Sequence, residues 1–266
     1  MEDIKGEVLL MQMTVLGCYG PYPPAGAACS GYLVQEEGCN ILIDCGNGTL
    51  SRLQQYLNFW ELDAILLSHL HADHVSDIMI MRYGLEMAYK QGRRSEPLPL
   101  YAPAEPISEF ERLSYKNAYL VEALNPEQEI HIGPFLIKAM VGVHAIPTMA
   151  LRIETTIGIL VYTGDTEYFA GLIGFACEAD LFLCEANYQD LDLHQNLPNH
   201  LSASQAAQIA AAAGVKRALL THHHPDRNLA VSIEEARKYY PGIEAATEGA
   251  TYTCRGNNSY GSRSGR

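Results

Sequence analysis

The stretch Ala64-Ile65-Leu66-Leu67-Ser68-His69-Leu70-His71-Ala72-Asp73-His74 decides the fold of this 266-residue chain. Four apolar, strand-like residues run into a loop that carries three imidazoles and one carboxylate between positions 69 and 74. Imidazole nitrogen and carboxylate oxygen are the donors that zinc and similar divalent cations take. A loop at a strand's end lets close neighbours in sequence turn in different directions, which one face of a helix would not allow. The pattern therefore points to a metal centre at the end of a buried strand.

His69, His71, Asp73 and His74 match the H-x-H-x-D-H signature, and here the sequence resembles the metallo-β-lactamase-fold hydrolases. The resemblance implies further ligands downstream, each at the end of an apolar run. His144 follows Val143, Asp165 ends G-I-L-V-Y-T-G-D, and His222 follows R-A-L-L-T. Of the run His222, His223, His224 the first is chosen, because it immediately follows the strand. By resemblance, His69, His71 and His144 hold one divalent ion, Asp73, His74 and His222 a second, and Asp165 bridges them. Zinc is the expected metal, with manganese or iron(II) as alternatives, and water activated between the ions is the expected nucleophile.

Two further stretches narrow the resemblance to the ribonuclease Z-like, phosphodiesterase branch: L-C-E-A-N-Y at 183–188 and N-H-L-S-A at 199–203. The branch implies that Glu185 orients His200, which assists at the scissile phosphate, and that Asp73 is the orienting base. Against this stand the simpler roles of Asn199 or Ser202 as a helix cap and Glu185 as a strand-end carboxylate. Only 165 − 144 = 21 positions separate His144 from Asp165, too few for the long basic arm with which one class of ribonuclease Z grips tRNA. A small phosphodiester or nucleotide-like substrate is therefore expected ahead of tRNA. The rival enzymatic reading is thioester or lactone hydrolysis on the same fold, although V-H-A-I-P-T around His144 lacks the thioester-hydrolase pattern and would leave His200 without a use. A non-catalytic metal-binding module is the remaining alternative; a redox di-iron site is disfavoured because that group usually has Glu at the position of His71.

Charge agrees with a small substrate. Eighteen Lys and Arg against thirty-one Asp and Glu give a formal charge of −13, which repels polyanions at long range. Bound cations would offset part of the acidity. Seven cysteines, an odd number without a C-x-x-C pair, fit a reduced protein. With no signal-peptide pattern ahead of the run from Val8 to Leu16 and no segment long enough to span a bilayer, a cytoplasmic protein without membrane association is expected. A homodimer is expected by analogy with relatives alone.

Elements predicted from pattern alternate between strands and helices, so the class is α/β. Strands are predicted at 7–16, 31–35, 40–43, 64–67, near 98–101, and at 135–141, 150–155, 158–162, 181–184 and 218–220; helices at 49–57, 74–89, around 104–115, 202–213 and 233–239. Two meanders, each trailed by helices, agree with the four-layer αββα sandwich of two mixed sheets that the family implies. No linker divides the halves, so residues 1–254 are expected to form one domain. Residues 255–266, rich in Gly and Ser, are expected to be a disordered tail. The Gly- and Pro-rich loop from Cys18 to Ser30 is a candidate wall of the substrate mouth, while His131, His194, Cys29 and Cys45 carry no assigned chemistry.

Overall fold

Period-two alternation with both faces apolar is the mark of a strand covered on both sides. In 39–43, Ile41 and Ile43 face one apolar cluster and Leu42 another; in 181–185, Leu181 and Leu183 face the first while Phe182 and Cys184 face a third. The computed structural model, which describes residues 10–195, 197 and 199–255, builds two seven-stranded sheets from this pattern. In chain order the strands are β1 Met11–Gly17, β2 Gly31–Glu36, β3 Cys39–Ile43, β4 Ala64–Leu66, β5 Leu98–Ala102 and β6 Tyr119–Ala123. They continue as β7 Ile130–Ile132, β8 Phe135–Val141, β9 Met149–Glu154, β10 Ile159–Tyr162, β11 Leu181–Glu185, β12 Ala218–Thr221, β13 Glu244–Ala245 and β14 Thr251–Cys254.

The sheet orders are β14-β1-β2-β3-β4-β5-β6 and β13-β12-β11-β10-β9-β8-β7. Each joins an antiparallel part to a run of parallel strands, successive neighbours from β3 to β6 in one and from β10 to β13 in the other. Met13, Val15, Tyr32 and Val34 of the first sheet meet Phe135, Leu151, Leu160 and Leu183 of the second in one buried layer. Helices seal the outer faces: Met81 and Leu85 of Ile78–Lys90 against the first sheet, Ala206, Ala207 and Ala210 of Ala203–Ala213 against the second. This is the expected αββα sandwich.

The Ala-rich helix shows how local sequence fixes an element. Ser202 caps it, its Oγ accepting from the Gln205 amide at 3.2 Å while Gln205 Oε1 accepts from the Ser202 amide at 2.9 Å. Gly214, at φ 64°, ends it in the left-handed conformation. The expected helix at 74–89 is instead two, Ala72–Val75 and Ile78–Lys90. The break arises because the His74 carbonyl accepts from the Cys45 amide at 2.8 Å and the Asp77 amide donates to the Cys45 carbonyl at 3.0 Å, taking both groups out of a helical ladder. Residues 1–9, where the first strand was expected to begin, and 256–266, nearly all of the expected tail, lie outside the described residues. Among the described residues no helix is long and apolar enough to cross a membrane.

Candidate metal centre

The carboxyl ends of β4, β8, β10 and β12 converge at one end of the sandwich and deliver the loops holding His69 to His74, His144, Asp165 and His222. His69, His74, Asp165 and His222 are buried, whereas His71, Asp73 and His144 are half-buried. His71 Nδ1 lies 3.1 Å from His69 Nε2 and 3.0 Å from His144 Nε2. His144 Nδ1 faces the Asn199 carbonyl at 2.8 Å, so that nitrogen bears the proton and Nε2 is bare. Ser68 Oγ donates to Asp44 at 2.8 Å and so accepts from His69 Nδ1 at 3.1 Å, which leaves His69 Nε2 bare as well. One proton on His71 Nδ1 cannot satisfy two facing lone pairs. A cation can: tetrahedral ligands at about 2.0–2.1 Å from zinc stand about 3.3 Å apart.

A second group joins Asp73, His74, Asp165 and His222. His222 Nε2 is 3.2 Å from both Asp73 Oδ2 and Asp165 Oδ2, and His74 Nε2 is 3.3 Å from Asp165 Oδ1. Asp165 Oδ2 also comes within 3.7 Å of His69 Nε2, so this carboxylate reaches both groups. Although 3.3 Å apart, the buried His74 Nε2 and Asp165 Oδ1 are not aligned for a hydrogen bond with each other, and neither has another partner among the described residues. Burial opposes a charge on either, yet the imidazoles of His222, His74 and His69 hold the Asp165 carboxyl well below the usual range, and Asp165, Asp44 and Asp73 push the His74 imidazole well above its own. A site of unpaired inward donors and converging carboxylates calls for positive charge at its centre, and the donor set fits divalent ions.

All seven expected ligands thus meet, together with a residue the sequence reading passed over. Asp44, fully buried just after β3, accepts from the Ser68 amide (2.7 Å), Ser68 Oγ (2.8 Å), His74 Nδ1 (2.7 Å) and the Tyr162 hydroxyl (2.8 Å). It fixes His74 with Nε2 inward, the role that outer carboxylates play for metal-bound histidines. Its signal was present: I-L-I-D is another apolar run ended by a polar side chain.

Glu185 and His200 also meet. Glu185 Oε1 lies 2.9 Å from His200 Nδ1 and accepts from the Thr166 amide at 2.8 Å. Burial opposes protonation of His200, but Glu185 overrides it and raises the imidazole to about 9. Its ring stacks on His222 at 5.3 Å and meets His144 edge-on at 5.2 Å, beside both ligand groups. The Tyr188 ring lies edge-on to His200 at 5.3 Å.

The loop from Cys18 to Ser30 does wall the site. Gly20 packs so closely on His222 that a Cβ there would stand 1.8 Å from Nε2, and Asn187 Nδ2, 3.0 Å from the Gly20 carbonyl and 3.1 Å from that of His222, holds the two together. His131 and His194 are exposed, away from the ligand groups. His223 turns to the Ala246 carbonyl at 3.2 Å, and His224 Nδ1 accepts from the Asp226 amide at 3.2 Å. Burial raises the thiols of Cys29, to about 12, and Cys45, which leaves neither poised as a nucleophile.

Fold and site together define a class, the metallo-hydrolase fold of two mixed sheets with a His- and Asp-rich metal-binding cluster at their carboxyl ends. Residues 39–223 match the family model described as a beta-lactamase superfamily domain, and the chain belongs to that family. It is 36% identical over 212 residues to the probable metallo-hydrolase YhfI of Bacillus subtilis, covering 80% of this chain and 86% of that protein. The crystal structure of YhfI superposes with a TM-score of 0.87 at 32% identity, over 92% of this chain and 99% of that one. Ribonuclease Z of Methanopyrus kandleri is 27% identical over 280 residues, 89% of this chain and 95% of its own. The fold is shared with the short form of human tRNase Z, at a TM-score of 0.71 and 22% identity over 92% of this chain and 99% of that one.

Proposed function

We propose that this chain is a phosphodiesterase that works with two divalent ions, zinc in the first instance, held by His69, His71 and His144 and by Asp73, His74 and His222, with Asp165 between them. Such ions, when bound, act as Lewis acids that bring the pKa of water towards about 7 and offset phosphoryl charge. Asp73, kept ionised by His74 and His222 against the effect of burial, orients the attacking water and accepts its proton. His200, with Nδ1 committed to Glu185, presents Nε2 to the leaving oxygen and donates the proton that oxygen needs, a role worth about 10²–10⁴ in rate. Glu185 keeps that imidazole charged and aimed.

The observation that carries this reading is the His200–Glu185 pair at 2.9 Å, lodged beside both ligand groups. A thiolate leaving in thioester hydrolysis has little need of a proton donor, whereas an alkoxide leaving phosphorus does. A small or cyclic nucleotide-like diester is favoured over tRNA. The segment between His144 and Asp165 is filled by the β9–β10 hairpin, with no room for a gripping arm, and the formal charge of −13 works against polyanions. The similarity to a ribonuclease Z supports the diester class.

The test is hydrolysis of bis-p-nitrophenyl phosphate, a 2′,3′-cyclic nucleotide and a thioester by protein of measured metal content, beside His200→Ala. Diester cleavage that requires metal is expected, collapsing in the variant for the cyclic nucleotide, whose alkoxide needs the proton, and falling less for bis-p-nitrophenyl phosphate, whose p-nitrophenolate does not. Thioester cleavage unchanged in the variant, without diester activity, overturns the proposal in favour of the acyl hydrolase.

A further inference from the structure

Asn199 has an unusual backbone: its φ of 82° lies in the left-handed region, which Gly adopts freely and, among residues with a side chain, mainly Asn and Asp. Both of its peptide groups are engaged. Its amide donates to Glu167 Oε1 at 2.9 Å, and its carbonyl accepts the His144 Nδ1 proton at 2.8 Å. That carbonyl belongs to the peptide bond leading into His200. One peptide plane therefore sets the tautomer of His144 and launches the backbone of His200.

Glu167 is itself anchored. Its amide donates to the Val143 carbonyl at 2.7 Å, and its own carbonyl accepts from Thr166 Oγ1 at 2.9 Å, which in turn accepts from the Val143 amide at 2.9 Å. The segment Asp165-Thr166-Glu167 thus presents the shared carboxylate, an amide for Glu185, and the acceptor for Asn199.

We propose that Glu167 is a positioning residue: by holding the Asn199 amide it keeps Asn199 left-handed, so that its carbonyl fixes His144 with Nε2 inward while His200 is delivered to Glu185. The consequence for metal rests on the reading of His144 as a ligand; the hold on Asn199 does not. Without the acceptor, Asn199 is free to relax towards right-handed backbone, turning the carbonyl away from His144. A carboxamide keeps the acceptor oxygen, so Glu167→Gln should behave as the unaltered protein and Glu167→Ala should not.

Two measurements on the full chain test this, with melting temperature as the control for folding. The first is NMR hydrogen exchange of the Asn199 amide in chelator-treated protein. Exchange about tenfold or more faster in Glu167→Ala, and near that of the unaltered protein in Glu167→Gln, is expected. The second is zinc affinity by chelator competition, with a loss of about 10–100-fold expected in Glu167→Ala alone, the usual effect of removing an outer hydrogen-bond partner. Unchanged exchange in Glu167→Ala, or Glu167→Gln falling as far as Glu167→Ala, overturns the proposal. Unaltered protein that binds no zinc sinks the metal reading, and the exchange experiment still decides the role of Glu167.

Discussion

Asp44→Asn isolates the contribution of one buried carboxylate to the metal centre. The substitution conserves volume, so no cavity opens, yet neither orientation of the new amide can satisfy its surroundings. With nitrogen in place of Oδ2, it opposes His74 Nδ1, Ser68 Oγ and the Tyr162 hydroxyl. The two hydroxyls can rotate and become acceptors, but the imidazole can respond only by moving its proton to Nε2, which caps the lone pair meant for metal. With nitrogen in place of Oδ1, the amide opposes the Ser68 backbone N–H, which cannot rotate. At least one buried donor is left unpaired, at about 1–3 kcal/mol, and hydrogen bonds to a charged acceptor, worth about 1.5–3 kcal/mol each, are weakened. A loss of about 2–5 kcal/mol follows, or roughly 5–15 °C in melting temperature for a domain of this size. Metal affinity should fall by about 10–100-fold, as for other outer carboxylates behind a ligating histidine. Calorimetry and metal titration check the two effects separately. A variant that melts within about 2 °C of the unaltered protein and keeps its full metal content would refute the argument, because the four donors would then be shown to need no carboxylate.

Gly20→Ala tests the wall of the site: a Cβ at 1.8 Å from His222 Nε2 must push the ring by more than the roughly 0.2 Å tolerance of a metal bond. Metal content should therefore drop by about one ion per chain at unchanged far-UV circular dichroism, and elemental analysis giving the unaltered stoichiometry would count against it. Stripping metal with a chelator should lower the melting temperature by roughly 5–10 °C, since an ion at about 100 times its dissociation constant stabilises the native state by about 2.7 kcal/mol; identical melts with and without chelator would speak against a bound ion. Glu185→Gln should lower diester turnover by about 10²-fold or more with poor leaving groups and less with p-nitrophenolate, because only the former depend on the proton from His200; equal losses for both would point to a structural role. Ser202→Ala removes the cap of the Ala-rich helix and should cost about 0.5–2 kcal/mol in denaturant titration without altering metal content.

Much of the candidate centre could be read from sequence because each expected ligand, or the short loop that carries it, follows an apolar run, and a run followed by His or Asp is visible without knowing what lies opposite. Asp44 shares that pattern but escaped, since what gives it meaning is distant: His74 is 30 positions away and Tyr162 is 118. Among elements, the buried parallel strands and the capped Ala-rich helix were legible. The strands β6, β7, β13 and β14 were not. β7 and β13 are two or three residues long, and β14 alternates in burial but pairs with β1 from the opposite end of the chain, Met11 against Cys254. The short helices Gly171–Phe175 and Asp190–Leu193 span barely a turn, too little for a 3.6-residue period to register.

The topology explains why ligands so scattered in sequence can act together. Parallel strands all point their carboxyl ends one way, so loops after β4, β10, β11 and β12 open on the same end of the molecule whatever their separation along the chain. The two sheets face each other, and the first contributes His69 to His74 while the second contributes His144, Asp165, Glu185 and His222. A cation bound between them would tie one sheet to the other at this end of the sandwich, beyond the apolar layer that joins them elsewhere. Metal binding would therefore be coupled to the relative setting of the sheets. The stabilisation from the ion should appear most strongly in hydrogen exchange of the loops that cross this end, at Leu67 and Thr163, and least at Val34 and Ile153 in the middle of the layer.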